Sequence, residues 1–163
     1  MKPSLDTSRL IFIHGLESSS QGTKAKLLRK KFPGMLTPDF PGDLNERMQI
    51  MDSILREKTD WTIIGSSFGG LMGALFTCSN PDKVRKLILL APALVWPEFA
   101  QNPPEPVDVP TVIYHGRQDE LLPLEVVLQL AQRAFTNLSF HAVDDDHRLL
   151  KTVRKIDWGI LLE

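Results

Sequence analysis

Short apolar runs that end in turn residues recur along this chain, and they constrain its fold more than any other feature. Five strong runs and then a weaker one lie at residues 9–15, 61–67, 86–93, 110–116 and 138–143, and at 34–40. Most are continuous rather than alternating, which is typical of strands that are buried on both faces of a parallel sheet. The runs therefore predict a six-stranded, mostly parallel sheet.

Helical patterns lie between these runs. Thr23 can cap a helix that continues through Lys31. Asp43 and Glu46 resemble a capping box at the start of the next helix. Further apolar stripes at helical spacing occur within residues 44–55, 68–78, 124–131 and 149–156. Because strands alternate with helices, the pattern predicts a doubly wound, three-layer α/β/α fold, formed as a single domain over residues 1–163.

One long irregular segment covers residues 91–110, and its six prolines preclude a long regular helix. A Pro-rich linker between domains is one interpretation of this segment. A loop that covers the edge of the sheet is the other. Trp96 and Phe99 favour the covering loop, because large aromatic side chains bury much apolar area when they find a surface to pack against.

The composition argues against several classes of partner. The 163 residues include 19 basic and 20 acidic side chains and carry a net charge of −1, so no excess of charge indicates a nucleic acid or a membrane surface. No apolar stretch approaches the ~20 residues that cross a bilayer. The run Leu10–Ile13 is too short for the core of a signal peptide. These features predict a soluble, cytoplasmic protein with no membrane insertion, and they leave its oligomeric state open.

The single cysteine, Cys78, cannot form an intrachain disulfide, so nothing ties the chain to an oxidising compartment. Cys78 lies within the apolar stretch at residues 71–80. A small buried hydrophobic residue is favoured over a catalytic thiol, because free cysteines are among the most buried residues.

A serine bracketed by glycines follows the second strong run, where residues 63–70 read IIGSSFGG. Gly65, Ser67 and Gly69 match G-x-S-x-G, a weak motif alone that gains weight from the strand before it and the apolar helix after it. Such a strand–turn–helix strains its central residue and exposes that residue's hydroxyl. The spacing selects Ser67 as the nucleophile, because no glycine pair brackets Ser66 in the same way.

A nucleophilic serine needs a base that takes its proton and an acid that orients the base. His147 follows the last predicted strand, which is where this arrangement places its base. His14, His115 and His141 are therefore assigned structural roles. Asp119 follows the preceding strand and is the leading candidate for the acid. Both candidates lie at carboxyl ends of strands, where α/β sheets build their sites.

Other carboxylates remain open as the acid. Glu120 is the fallback beside Asp119. The three aspartates at 144–146 crowd His147, and a solvated turn that caps the last helix is the competing interpretation of them. A metal site built from these aspartates and His147 is not favoured, because consecutive residues of an extended segment alternate sides and cannot all converge on one ion. Neither a metal nor a cofactor is predicted.

Acyl transfer also needs donors for the negative charge that develops on the carbonyl oxygen. The backbone N–H of Phe68, directly after the nucleophile, is one predicted donor. The second is expected from the loop after the first strand, which reads HGLESSSQGTK at residues 14–24. Within that loop the N–H of Leu16 is the best-placed candidate.

Taken in chain order, these segments resemble the α/β-hydrolase superfamily. IFIHGLESSS (11–20) is similar to its oxyanion strand and loop, IIGSSFGG (63–70) to its nucleophile elbow, HGRQDELLP (115–123) to its acid loop and DDDHRL (144–149) to its histidine loop. The similarity is greatest to compact, single-domain bacterial serine esterases, whose first loop carries H-G-x-x-S-S ahead of a lysine-bearing helix.

The resemblance implies a serine hydrolase that cleaves a small ester or thioester, with a small-molecule acyl compound as its substrate. Ser67 would attack, His147 would move the proton and Asp119 would orient His147. A non-catalytic binding or scaffold module on the same fold is one alternative, since a fold does not determine a function. Cleavage of an amide or a C–C bond by the same three residues is another.

The chain departs from larger members of this superfamily in two ways. Its first strand already carries the HG pair, so the two strands that precede it in larger members are absent. Only residues 91–110 stand in place of a helical cap, which predicts a shallow pocket. Trp96 and Phe99 are candidate walls of that pocket, and packing elsewhere is an equally open interpretation of both.

Overall fold

The structure is a computed structural model that describes residues 4–163. Within those residues one sheet of parallel strands is built, in spatial order, from β1 (Leu10–Ile13), β2 (Trp61–Ser66), β3 (Val84–Leu90), β4 (Thr111–Gly116) and β5 (Leu138–Val143). Every residue of β1 and β2 is buried. This burial agrees with the continuous apolar runs, because the side chains on both faces of these strands are covered.

Helices cover both faces of the sheet. One face carries α1 (Thr23–Lys31), α6 (Leu150–Lys155) and α7 (Trp158–Leu161). The other face carries α2 (Leu44–Leu55), α3 (Phe68–Ser79), the single turn α4 (Pro97–Ala100) and α5 (Leu124–Ala134). Short 3-10 turns precede β1 and β3, at Thr7–Arg9 and Pro81–Lys83. In the described part of the chain, no helix has the length and apolar character that a bilayer crossing requires.

The loops that leave β1 and β2 diverge to opposite faces. β1 leads into α1 on one face, whereas the adjacent β2 leads into α3 on the other. Their carboxyl ends therefore border a crevice, which is where open α/β sheets bind ligands. The predicted oxyanion loop and the predicted nucleophile both lie at this crevice.

The sheet has five strands rather than the six predicted. Residues 34–40 form only one parallel bridge to the outer edge of β1, between Leu36 and Ile11. The N–H of Leu36 donates to Leu10 O at 2.8 Å, and the N–H of Phe12 donates to Leu36 O at 2.9 Å. Every second residue of a parallel strand faces a given neighbour, so the next donor would be Pro38, which has no N–H. The pairing therefore ends after one bridge.

The helix starts agree closely with the sequence. Gly22, rather than the predicted Thr23, is the N-cap of α1. The predicted capping box of α2 is present, since Glu46 N–H donates to Asp43 Oδ1 at 2.9 Å and Asp43 N–H donates to Glu46 Oε1 at 3.3 Å. This cap sets the first turn of α2, which also contains Arg47.

The Pro-rich segment at residues 91–110 packs onto the core instead of extending away from it. Phe99, Val107 and Val109 are buried in the same apolar cluster as the helices α2, α3 and α5. Val107 also forms a parallel bridge with Phe135. The contacts favour the covering loop over the linker.

We predict that Asp43→Ala lowers the free energy of unfolding by about 1 kcal/mol, because loss of an N-cap side chain typically has this effect. Urea unfolding followed by circular dichroism measures the change, and the m value should stay constant. Asp52→Ala, at an exposed position of the same helix, is the control and should change stability by less than about 0.5 kcal/mol. Equal losses in the two variants would contradict the role of the cap.

Candidate active site

Ser67 lies in a strained turn between β2 and α3. Its φ of 54° and ψ of −114° fall in a region that favours glycine. The surrounding backbone holds it there, since Ser67 N–H donates to Leu90 O at 2.9 Å. The Ser67 carbonyl in turn accepts from the N–H groups of Gly70, Leu71 and Ala93. The neighbouring Ser66 ends β2 and is buried.

Close contact between backbone segments explains the glycines of this turn. A Cβ on Gly69 would overlap the carbonyl oxygen of Ile13 and lie 2.6 Å from His14 O. A Cβ on Gly65 would likewise overlap the carbonyl of Gly69. At Gly73, by contrast, the nearest atom would be a side-chain methyl at 3.2 Å. Strand, helix and first loop can therefore meet only where the side chain is absent.

One hydrogen-bonded chain joins the three side chains that the sequence predicts as catalytic. His147, in the loop between β5 and α6, has its Nε2 at 3.0 Å from Ser67 Oγ. Its Nδ1 lies 2.7 Å from Oδ2 of Asp119, which lies in the loop after β4. An ionised carboxylate only accepts hydrogen bonds, so Nδ1 carries the proton and Nε2 is free to accept from the serine hydroxyl.

The carboxylate of Asp119 is fully buried and is held by its own loop. Oδ1 accepts from the N–H groups of Leu121 and Leu122, both at 2.9 Å. His115 Nε2 lies 3.4 Å from Asp119 Oδ2, but it donates to Leu122 O at 2.9 Å. His115 is fully buried and supports the acid loop, which leaves Oδ2 to bind His147.

The loops that carry the acid and the histidine are in direct contact. A Cβ on Gly116 would overlap the carbonyl oxygen of Asp145 and lie 2.7 Å from that of Asp146. Arg117 N–H donates to Val143 O at 2.8 Å, and Gln118 N–H donates to Asp145 O at 3.1 Å. No role was predicted for Gly116, although a glycine that ends a strand three residues before the candidate acid is a signal in the sequence.

Within the described residues, none of the other acidic candidates hydrogen-bonds to the histidine. Glu120 and Asp144 are exposed. Partial burial raises the pKa of the Asp145 carboxyl, but hydrogen bonds from Thr152 N–H and Oγ1, each at 2.8 Å, outweigh that effect and keep the pKa below its ordinary value. Asp146 bonds within its own loop. Across residues 4–163, no group of three or more His, Cys, Asp or Glu side chains is placed to hold a metal ion.

The two predicted oxyanion donors have unpaired N–H groups. Within the described residues, neither Leu16 N–H nor Phe68 N–H donates to a protein acceptor. The peptide that carries the Leu16 N–H is oriented by His14, which is buried. Phe40 N–H donates to His14 Nε2 at 3.0 Å, so the ring proton is on Nδ1, which donates to Gly15 O at 2.7 Å.

A cleft of about 620 Å³ opens beside Ser67, and among the residues that line it are Gly15, Leu16, Lys24, Leu121, His147 and Arg148. Trp96 and Phe99 do not line it. Trp96 is 39% exposed and packs edge-on against Phe68, with ring centroids 5.2 Å apart. Phe99 is 1% exposed within the core. In this structure, Phe99 is a packing residue, and the cleft is lined by the first loop and α1 together with the acid and histidine loops.

Two cationic side chains, to which the sequence analysis assigned no role, line this cleft. Lys24 lies in the first turn of α1, and Arg148 directly follows His147. Burial lowers the pKa of Lys24 and repulsion from Arg148 lowers it further, while the negative charges of Asp146 and Asp145 oppose this with smaller effects. Among the described residues, no carboxylate lies within ion-pair distance of either cation. Both are therefore available to a bound anion.

Cys78 does not take part in this site. Its side chain packs against the core on the α3 side of the sheet. Burial raises the pKa of the thiol to about 12, so the reactive thiolate is scarce at neutral pH. These properties agree with the predicted role as a small hydrophobic residue.

We predict that Gly69→Ala lowers the free energy of unfolding by about 3 kcal/mol, the upper end of typical overpacking effects, because backbone oxygens cannot move aside. Gly73→Ala is the matched control on the same helix. Its gain in helix propensity of about 1 kcal/mol should roughly offset the tighter side-chain contact. Urea unfolding of both variants measures the difference, and similar stabilities would contradict the close contact at Gly69.

Comparison with known proteins supports the architecture. A family model described as alpha/beta hydrolase fold matches residues 37–108, a segment that contains β2, α3 and β3. The mouse alpha/beta hydrolase domain-containing protein 10 is 22% identical with a TM-score of 0.72, over 98% of this chain and 88% of that one. No curated protein sequence matches the chain significantly.

Two microbial structures show a similar likeness. Est1E from Butyrivibrio proteoclasticus is 20% identical with a TM-score of 0.72, over 93% of this chain and 86% of its own. A monoacylglycerol lipase from Paleococcus ferrophilus is 17% identical with a TM-score of 0.72, over 94% of each chain. At these identities the likeness establishes a common fold.

Proposed function

Because the chain is an α/β-hydrolase by fold, we propose that it is a serine hydrolase that cleaves a small carboxylic ester or thioester. The observation that carries this proposal is the hydrogen-bonded chain from Asp119 through His147 to Ser67, with separations of 2.7 and 3.0 Å. A buried carboxylate, an oriented imidazole and a partly exposed hydroxyl are the groups that a nucleophilic serine requires.

The proposed reaction begins when Ser67 Oγ attacks the substrate carbonyl carbon and His147 Nε2 takes the hydroxyl proton. Asp119 stabilises the imidazolium that results. The N–H groups of Leu16 and Phe68 donate to the negative oxygen of the tetrahedral intermediate. His147 then protonates the leaving oxygen or sulfur, which departs and leaves an acyl group on Ser67. Water attacks this ester with the same assistance, which releases the acid and restores the serine.

Ester chemistry is favoured over the alternatives by two considerations. Proteins of similar fold include a monoacylglycerol lipase and Est1E, which has also been solved with ferulic acid bound. The strained backbone of Ser67 and the fully buried Asp119 carboxylate also lower the stability of the fold. A catalytic site requires both features, whereas a binding module does not. The same three residues could attack an amide carbonyl, so amide substrates belong in the test.

We predict that the protein hydrolyses 4-nitrophenyl esters and that Ser67→Ala lowers kcat/KM at least about a thousandfold, as removal of a nucleophile does elsewhere. Ser66→Ala is the matched control and should stay within about tenfold of the wild type. The panel runs from acetyl to octanoyl esters and includes the corresponding anilides. Equal hydrolysis by the wild type and Ser67→Ala would exclude the mechanism. A folded wild type with no turnover would favour the binding module. Faster cleavage of the anilides than of the esters would favour an amidase.

The cations in the cleft indicate which acyl groups the site favours. Lys24 and Arg148 line the same cleft as Ser67 and are unpaired within the described residues. A hydrogen bond to a charged group contributes about 1.5–3 kcal/mol, which corresponds to roughly tenfold or more in affinity. An acyl group that ends in a carboxylate is therefore expected to react faster than an uncharged group of equal length.

We predict that Lys24→Met lowers kcat/KM for the succinyl monoester about tenfold. It should change kcat/KM for the butyryl ester less than about twofold, since only the succinyl group carries an anion. Lys26→Met, at an exposed position of the same helix, is the control. The wild-type preference should weaken as pH rises, and at a lower pH than for an ordinary lysine, because the pKa of Lys24 is lowered. Equal effects of the two variants on both esters would contradict a role for Lys24.

A further inference from the structure

A buried arginine lies behind the loop that carries Leu16. Arg47, in the first turn of α2, is only 5% exposed. None of the ion pairs within the described residues includes it, and burial lowers its pKa. Burial of an unpaired charge is unfavourable unless its donors find acceptors. The acceptors that Arg47 finds are therefore informative about its role.

The contacts of Arg47 converge on the two predicted oxyanion donors. Its Nη2 donates to Leu16 O at 3.1 Å. Its guanidinium carbon lies 5.3 Å from the centre of the Phe68 ring, a cation–π contact. Its Nε donates to Gly42 O at 2.8 Å, which anchors the side chain to the segment just before α2. One side chain thus touches both residues whose N–H groups would hold the oxyanion.

The Leu16 N–H is constrained from two sides. His14 Nδ1 donates to Gly15 O, the carbonyl of the peptide that contains this N–H. Arg47 Nη2 bonds the carbonyl of the following peptide. Because each peptide unit is planar, holding both carbonyls fixes the direction of the N–H between them. The charge on Arg47 also lies behind the donors and favours negative charge in front of them.

We propose that Arg47 is a positioning residue that holds the Leu16 and Phe68 donors at the separation required by the developing oxyanion. This inference rests on the proposed serine hydrolase function. An interaction that matters only when the carbonyl oxygen becomes negative contributes to the transition state and not to substrate binding. Loss of Arg47 should therefore lower kcat and leave KM nearly constant.

The test compares Arg47→Met, Arg47→Lys and the wild type with the best ester of the panel. Removal of a single oxyanion donor lowers kcat about 10²–10³-fold, and a residue that acts through the donors should have a smaller effect. We expect Arg47→Met to lower kcat about thirtyfold with KM within about threefold. Arg47→Lys should recover part of the loss, because it keeps the charge without the planar fork.

Two inhibitors separate positioning from general damage. Butylboronic acid forms a tetrahedral, negatively charged adduct with a nucleophilic serine, whereas butyrate resembles only the planar product. Arg47→Met should lower the affinity for the boronic acid by about the same factor as it lowers kcat. It should change the affinity for butyrate by less than about threefold. Equal weakening of both inhibitors, or a loss expressed mainly in KM, would overturn the positioning role.

Arg85→Met is the control for loss of a structural arginine. Arg85 donates to Leu162 O at 2.9 Å and to Thr62 Oγ1 at 3.0 Å, away from the cleft. This variant should keep wild-type kcat. If Arg47→Met does not fold, Arg47→Lys alone decides, with a selective loss of boronic acid affinity supporting the proposal and unchanged affinity overturning it. If the wild type turns over the ester and Arg47→Met is equally active, the positioning role alone is overturned. If the wild type shows no turnover, the proposed function and this inference are overturned together.

Discussion

The contact of Gly69 with the carbonyl oxygens of Ile13 and His14 is the constraint on which the candidate site depends. It brings the first loop against the start of α3, immediately after Ser67. The N–H groups of Leu16 and Phe68 belong to these two segments, and no side chain could be inserted between them. The strained backbone of Ser67 is the local consequence, and backbone hydrogen bonds between Ser67 and four surrounding residues stabilise that conformation.

A second backbone contact, at Gly116, joins the acid loop to the histidine loop. The two halves of the site meet at the hydrogen bond between His147 and Ser67. Each half is thus built from segments far apart in sequence, whose carboxyl ends the parallel sheet gathers at one edge. Only one side chain of the three, that of Asp119, is fully buried, and its own loop supplies two of its hydrogen-bond donors.

Local sequence patterns predicted much of this arrangement, because they report local physics. Continuous apolar runs follow from strands with two covered faces, and the spacing of Gly65, Ser67 and Gly69 follows from a turn that excludes side chains. The superfamily resemblance is confirmed at the level of the fold. The prediction of a sixth strand was wrong because of one residue. Pro38 has no N–H to donate, so the pairing with β1 ends after a single bridge.

The positions of Lys24, Arg148 and Arg47 at the candidate site could not be predicted in this way. The roles proposed for them depend on contacts between residues far apart in sequence, such as the 3.1 Å hydrogen bond from Arg47 to Leu16, which local periodicity does not encode. Phe99 is a further example. The sequence around it is consistent with either a pocket wall or a core position, and only its contacts show that it lies in the core.

The central claim is that Ser67 is the nucleophile, activated by the hydrogen bonds that connect Asp119 to His147 and His147 to Ser67. The most direct measurement is peptide mass spectrometry of the protein after reaction with a fluorophosphonate, which bonds covalently to activated serines. The account predicts a single adduct on Ser67 that is lost in Ser67→Ala and greatly slowed in Asp119→Asn. An adduct on Ser66, or no adduct on the folded wild-type protein, would contradict it.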